Sequence, residues 1–378
     1  MRPACAEIDL GAFRRNVEAI LGMLPEGGRL VAVLKADAYG HGAVELARCL
    51  DERTAMIAVA LLEEALQLRD AAITHPILVL GALSAEQIEV AAERDIEIAV
   101  PSPESLAAAC EVAREREVNV HLELDSGMGR MGLIESDLPA AVALIRATPK
   151  LRIAGIYTHF ANAPEPDDPF TETQIETFDG IVAELRAAGV EAPLHHLANS
   201  AATVRRLVRA GEWARVGIAL FGAETIDRSS QRLEPVLRWR TAVVRVKTLP
   251  PGESVGYGRT FRTARESRIA TIAIGYADGY NRLLSNRGEV LIRGRRASVV
   301  GRVSMDLVTV DVTGIDGVVV GDEVVLLGRQ GDDEISAEAI GGRLGTISYE
   351  VLCSIGARVP RVYRDGEAIV AIRSRFTT

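Results

Sequence analysis

Residues 30–42 read LVAVLKADAYGHG. Five apolar residues are too few for a buried helix and suit a strand covered on both faces. Lys35 follows, and a glycine-rich turn then opens a helical segment. Similar runs recur at 55–60, 77–80, 96–100, 118–124, 153–158, 193–197 and near 212–216. Between them lie segments of helical period, such as 105–116 and 171–188. Ser84 before AEQIEV, Ser102-Pro103 before ESLAAAC and Ser136 before DLPAAVALI are helix-start signals. Eight strands alternating with helices fit either a (β/α)8 barrel or an open doubly wound sheet. The count of eight favours the barrel.

Beyond residue 236 the texture changes. VLRWRTAVVRVKTL, SRIATIAIGYA, EVLIRGRRASVVGRVSMDLVTVDVTGI and DEVVLLG are β-rich, and only 336–344 reads as helix. The expected architecture is α/β, an N-terminal (β/α)8 TIM barrel plus a C-terminal, mostly antiparallel β domain. The opening strand AEIDL has no place in an eight-stranded barrel. We therefore expect residues 1–11 to join 237–378, with the barrel at 12–236.

The chain has 378 residues, enough for two domains at about 150 residues each. A net charge of −9 argues against a nucleic-acid partner. No apolar run approaches the ~18 residues of a membrane span, and no leader is apparent. The four cysteines show no metal-ligand spacing and read as reduced thiols of a cytoplasmic protein. No metal site is expected.

Polar residues gather at expected strand ends, where barrels carry their chemistry. Lys35 there would lose hydration and become a covalent or proton-transfer base, the alternative being an ordinary solvated lysine. In HLELDSGMGRMG, residues 127–132 spell G-x-G-x-x-G, but no acid ends the following strand, so a dinucleotide reading is weak. Those glycines would instead let Arg130 fold back over the site. Glu123, flanked by Leu122 and Leu124, needs a cationic partner if buried, and Arg130 is the nearest candidate. His159 ends the sixth strand, as a site residue or a core histidine. Asn199 and Ser200 stand at a strand-to-helix junction, with Ser200 a good N-cap. Arg215, Gly217 and Ile218 follow the eighth strand, where barrels bind phosphate. In the β domain Tyr257 sits between two glycines, and Tyr349 follows the short helix.

Together VAVLKADAYGHG, LELDSGMGRMG, IYTHFANA, LANSAA, RVGIALFG, VGYGRTF, IGYADGY, GRVSMD and SYEVLCSIGARVPR resemble the alanine racemase family along almost the whole chain. The resemblance implies a fold-type III enzyme with pyridoxal 5'-phosphate as cofactor. It implies a head-to-tail homodimer with shared active sites, and cytoplasmic supply of D-alanine for peptidoglycan. Lys35 would be the Schiff-base lysine and one base, and Tyr257 of the partner subunit the base on the opposite face. Arg130 would bond the cofactor's phenolic oxygen and approach the substrate carboxylate. Arg215 would meet the pyridine nitrogen, with His159 behind it. Tyr39, Asn199, Ser200, Gly217, Ile218 and Tyr349 would belong to the cofactor site, most of them around the phosphate. Met305 would contact the substrate, and Tyr276, Arg282 and Arg302 would line its entrance.

The chain departs from the family pattern in places. Glu123 stands where many members carry a carbamylated lysine, and its own carboxylate would do the carbamate's electrostatic work beside Arg130. Pro164 replaces a frequent acidic residue of the entrance, and Phe221 a frequent tyrosine. Other readings of such a chain are a racemase of broader substrate range, a barrel-fold decarboxylase of basic amino acids, a non-catalytic cofactor carrier, and a barrel without cofactor. The β domain argues against the carrier. Tyr257 with Met305, in place of a cysteine-based loop, argues against the decarboxylase.

Overall fold

The computed structural model describes residues 3–223 and 233–376. Eight parallel strands form the barrel: β2 (Arg29–Val33), β3 (Thr54–Val59), β4 (Ile77–Val79), β5 (Glu97–Val100), β6 (Val118–Glu123), β7 (Leu151–Tyr157), β8 (Leu194–His196) and β9 (Trp213–Val216). Each pairs with the next in sequence up to β8, and β9 returns to pair with β2. The seam between β8 and β9 carries no ladder. There the backbone N–H of Arg215 donates to the Ala198 carbonyl at 2.9 Å. The barrel is thus nearly closed, and its closing bond lies beside a site residue.

Most strand residues are buried because helices cover one face and packed side chains fill the other. Helix Ala85–Glu93 starts on a Ser84 capping box, and Pro103–Val112 on Ser102. Ser136 is not a cap. It lies in a 3-10 turn, Glu135–Asp137, and the α-helix begins at Leu138 with Pro139 in its first turn. Helix Phe170–Ala187 matches the long period read from 171–188.

The N-terminal strand β1 (Cys5–Asp9) leaves the barrel altogether. It pairs antiparallel with β10 (Leu237–Leu249) and parallel with Arg361–Asp365, inside a ten-stranded sheet. Apart from that parallel pair, the ladders of this sheet are antiparallel. Two α-helices accompany it, Ala337–Leu344 and Ser348–Cys353. The second was not expected from sequence, being too short to show a period. Among the described residues no helix is long and apolar enough to cross a membrane, no group of residues suits a metal ion, and all four cysteines are free.

One polar knot ties the barrel to the segment that enters the sheet, and a second lies within the sheet. Buried Asn16 donates to the carbonyls of Leu220 and Glu234 and accepts from the Glu234 N–H. Glu7 pairs with Arg240 at 2.9 Å, Arg238 at 3.0 Å and Arg364 at 3.4 Å. Burial opposes its charge, but the bonds from Arg240 and Arg238 hold its carboxyl below the ordinary 4.5. The stability it contributes is therefore complete above that value and is lost as pH falls through the lowered one. Glu7→Gln should cost about 1–2 kcal/mol at pH 7, because it takes one half-buried carboxylate from three arginines, of which Arg238 and Arg240 keep Glu323. Urea midpoints should show that gap closing below pH 4.5; a gap independent of pH would contradict this account.

Candidate active site

A cavity of about 500 Å³ opens at the C-terminal ends of the barrel strands. Lys35, Tyr39, Glu123, Arg130, His159, Asn199, Ser200, Arg215, Gly217, Ile218 and Tyr349 all line it, as does Pro164. Strand β2 stops at Val33, so Lys35 stands just beyond it, at the start of a turn. Burial, reinforced by the charges of Arg130 and Arg215, pushes the Lys35 ammonium below the ordinary lysine range. A lysine so placed gives up its proton more easily than one in water.

The turn after Lys35 is left-handed. Ala36, Asp37, Ala38 and Tyr39 all have φ between 52° and 54°, a conformation costing roughly 1–2 kcal/mol per residue. Surrounding bonds hold it. Glu64 accepts from the Ala36 N–H at 2.6 Å, Asp37 accepts from the Ala43 N–H at 2.7 Å, and Arg361 donates to the Gly40 carbonyl at 3.0 Å. The turn delivers the Tyr39 ring against Phe221 and Tyr349, with centroids 5.1 and 5.9 Å away. Phe221 therefore supports the site from behind.

Opposite Tyr39 lies the glycine of the eighth strand's loop. A Cβ on Gly217 would stand 2.4 Å from the Tyr39 hydroxyl. Ser200 Oγ accepts from the Gly217 N–H at 3.0 Å and the Ala219 N–H at 3.4 Å, joining the two loops expected to bind phosphate. The N-cap of helix Ser200–Val204 is Asn199, not Ser200: its side chain accepts from the Ala202 N–H at 3.0 Å. That leaves the Ser200 hydroxyl to organise the Gly217 loop.

Arg215 is buried. Its Nη2 donates to the Thr158 carbonyl at 2.6 Å and lies 3.3 Å from His159 Nδ1, while its Nη1 lies 3.0 Å from His196 Nδ1. Burial brings its guanidinium down to about 10, still charged at neutral pH. Burial and the charges of Arg215, Arg130 and Lys35 push His159 down to about 3, so its ring is neutral.

Glu123 differs from expectation. Its hydrogen-bond partner is Tyr157, whose hydroxyl donates to Oε2 at 2.9 Å, and not Arg130, which is exposed. Burial raises the Glu123 pKa against the pull of Tyr157, Arg215 and Arg130. The Arg215 guanidinium lies 4.9 Å from the centre of the Tyr157 ring. Sequence reasoning missed Tyr157, although residue alternation would put it on one face of β7 with Gly155.

Tyr257, Tyr276, Arg282, Arg302 and Met305 do not line this cavity. They gather on the β domain instead. A Cβ on Gly256 would lie 3.2 Å from the Arg302 nitrogen, the Tyr276 N–H donates to the Ser304 carbonyl, and Ser285 accepts from the Val303 N–H. Tyr257 is 72% exposed and Met305 53%. Exposed Leu283 and Leu307 lie nearby in sequence.

A barrel with a desolvated lysine and two arginines at its strand ends, joined to a β domain, defines a two-domain barrel enzyme. Comparison with known proteins narrows this. Residues 8–225 match the family model for the alanine racemase N-terminal domain, and 236–363 that for the C-terminal domain. Alanine racemase of Symbiobacterium thermophilum is 44% identical over 96% of this chain and 97% of that protein. That of Halothermothrix orenii is 40% identical over 96% and 97%. The crystal structure of alanine racemase from Bacillus anthracis with bound L-Ala-P superposes with a TM-score of 0.92 at 37% identity, covering 99% of this chain and 98% of that one. The chain belongs to the alanine racemase family, and is an enzyme of the racemase class.

Gly217→Ala should push Tyr39 from its place, because the ring is hemmed in by Phe221 and Tyr349. A loss of about 1–3 kcal/mol is expected, read as a lower urea midpoint. An unchanged midpoint would show that the contact can relax.

Proposed function

We propose that the chain interconverts L- and D-alanine with pyridoxal 5'-phosphate held in the barrel cavity, and works in the cytoplasm to supply D-alanine for peptidoglycan. The observation that carries this reading is the cavity itself. Lys35, Arg130 and Arg215 outnumber Glu123 there, which suits a phosphorylated anion. Tyr39, Ser200 and Tyr349, with the Gly217 and Ile218 loop, would hold the phosphate where only glycine fits beside Tyr39. The volume falls in the range of small-molecule sites.

When bound, the cofactor supplies an electron sink for the charge left at Cα. Lys35 would carry it covalently and act as one proton base. Arg215 can donate but not accept, so a ring nitrogen facing it stays unprotonated. That restrains delocalisation and disfavours side reactions. Arg130 would orient the phenolic oxygen and the substrate carboxylate, and His159 would steady Arg215.

Racemisation removes a proton from one face of Cα and returns one to the other, so two bases suit it. Each contributes about 10²–10⁴ in rate. Tyr257 of the partner subunit would be the second. The exposure of Tyr257, Met305 and the leucines near them supports a head-to-tail homodimer in which this face completes the other chain's site. Tyr276, Arg282 and Arg302 would then border the substrate entrance.

The test is direct. Purified protein with pyridoxal phosphate is incubated with single L-amino acids, and the D-product is scored chirally. Alanine should racemise, and Lys35→Ala should abolish both turnover and the visible band that borohydride removes. Cofactor binding without racemisation of any amino acid would refute the reading.

Glu123 yields a second test. A carboxylate already in place needs no CO₂, so the rate with alanine should be equal in degassed and bicarbonate-supplemented buffer. Activity lost on CO₂ removal and restored by bicarbonate would sink this role.

A further inference from the structure

The barrel interior holds titratable groups that the proposed chemistry leaves unused. Glu97 Oε2 lies 2.6 Å from His121 Nε2, and His121 Nδ1 lies 2.8 Å from His196 Nε2. His196 Nδ1 in turn faces Arg215 Nη1 at 3.0 Å. Neither imidazole has any exposure, and the Glu97 side chain keeps 22%. The four groups come from β5, β6, β8 and β9. The strand between the two histidines, β7, contributes Gly155. A Cβ on Gly155 would stand 2.5 Å from His121 Nδ1, the atom that meets His196. A side chain is missing where the connection crosses.

One arrangement of protons satisfies every bond. A guanidinium only donates, so His196 Nδ1 must be the acceptor. A neutral His196 then carries its proton on Nε2 and donates to His121 Nδ1. His121 keeps its proton on Nε2 and donates to Glu97. Burial, with the Arg215 charge, pushes His196 well below the ordinary histidine range, in keeping with a neutral ring.

We propose that Glu97, His121 and His196 are positioning residues: a one-way hydrogen-bond chain through the barrel that fixes the acceptor facing Arg215 and so sets the guanidinium against the cofactor's ring nitrogen. This rests on the cofactor reading of Arg215. The carboxylate at the far end gives the chain its direction, and each bond polarises the next. Without an acceptor at position 97, His121 can turn its proton toward His196. His196 would then present N–H to Arg215, donor against donor.

The experiment uses the full-length protein labelled with ¹⁵N in histidine, without and with pyridoxal phosphate, as wild type, Glu97→Leu and Glu97→Gln. Both wild-type rings should be neutral Nε2–H tautomers at pH 7. Glu97→Leu should mix the tautomers even without cofactor. With cofactor, its visible band should shift and kcat should fall roughly tenfold, a size typical of losing an orienting partner, while KM holds within about twofold. Glu97→Gln keeps an acceptor oxygen and should restore the tautomers and most of kcat. Unchanged tautomers in Glu97→Leu overturn the chain. Mixed tautomers with an unmoved band and kcat overturn its link to Arg215. Failure of the wild type to bind cofactor would instead strike the proposed function, and the nitrogen spectra would still decide the chain.

Discussion

Arg215 is a cation buried inside a barrel with no carboxylate among the described residues in direct contact, and much of the site is arranged around that fact. Removing a guanidinium from water costs several kcal/mol unless its donors are met. Here they are met by the carbonyls of Thr158 and His196 and by ring nitrogens of His159 and His196. Its charge is answered at one remove, through the Tyr157 ring, by Glu123. Burial lowers Lys35 and keeps His159 and His196 neutral, and the same positive charge adds to it at each of them. One buried charge thus reinforces the effect of desolvation on several neighbours.

A second constraint is mechanical. The left-handed turn after Lys35 stores strain, and a free loop would release it. The β domain contributes to holding it. Arg361 joins the Gly40 carbonyl to the carbonyls of Ile355, Gly356 and Val359. A Cβ on Gly42 would overlap the Tyr363 hydroxyl. Since β1 lies between β10 and the strand carrying Arg361 and Tyr363, the sheet that receives the N-terminus also braces the catalytic-end turn of the barrel. The two domains therefore share one structural task, and within the sheet Glu7 ties β1 to both of its neighbouring strands.

The barrel was legible because parallel strands buried on both faces leave apolar runs that alternate with helical periods. Boundaries were less so. Leu34 continues the apolar run in sequence and Lys35 follows it directly, but both lie past the strand end, where a turn of positive φ begins; nothing in AlaAspAla announces that conformation. The Ser348–Cys353 helix is too short for periodicity to register, and Ser136 mimics a cap that the following proline displaces. At the site, glycine-rich and charged motifs marked which residues line the cavity. They did not reveal Tyr157 as the partner of Glu123, because pairing across neighbouring strands depends on register.

The internal chain was hidden for a different reason. His121 and Glu123 alternate on β6, so residue parity alone puts them on one face. What parity cannot give is the gap that lets His121 reach past β7. That gap is Gly155, a glycine outside any turn and without positive φ, whose role is purely steric. The tyrosines carry a related lesson. Tyr157 uses its hydroxyl on Glu123, but Tyr280 is wholly buried packing and Tyr363 fills the space that Gly42 leaves. In this chain a tyrosine is placed in some cases by the missing side chain opposite it, as Tyr363 is by Gly42, and in others by the bond its oxygen makes, as Tyr157 is by Glu123.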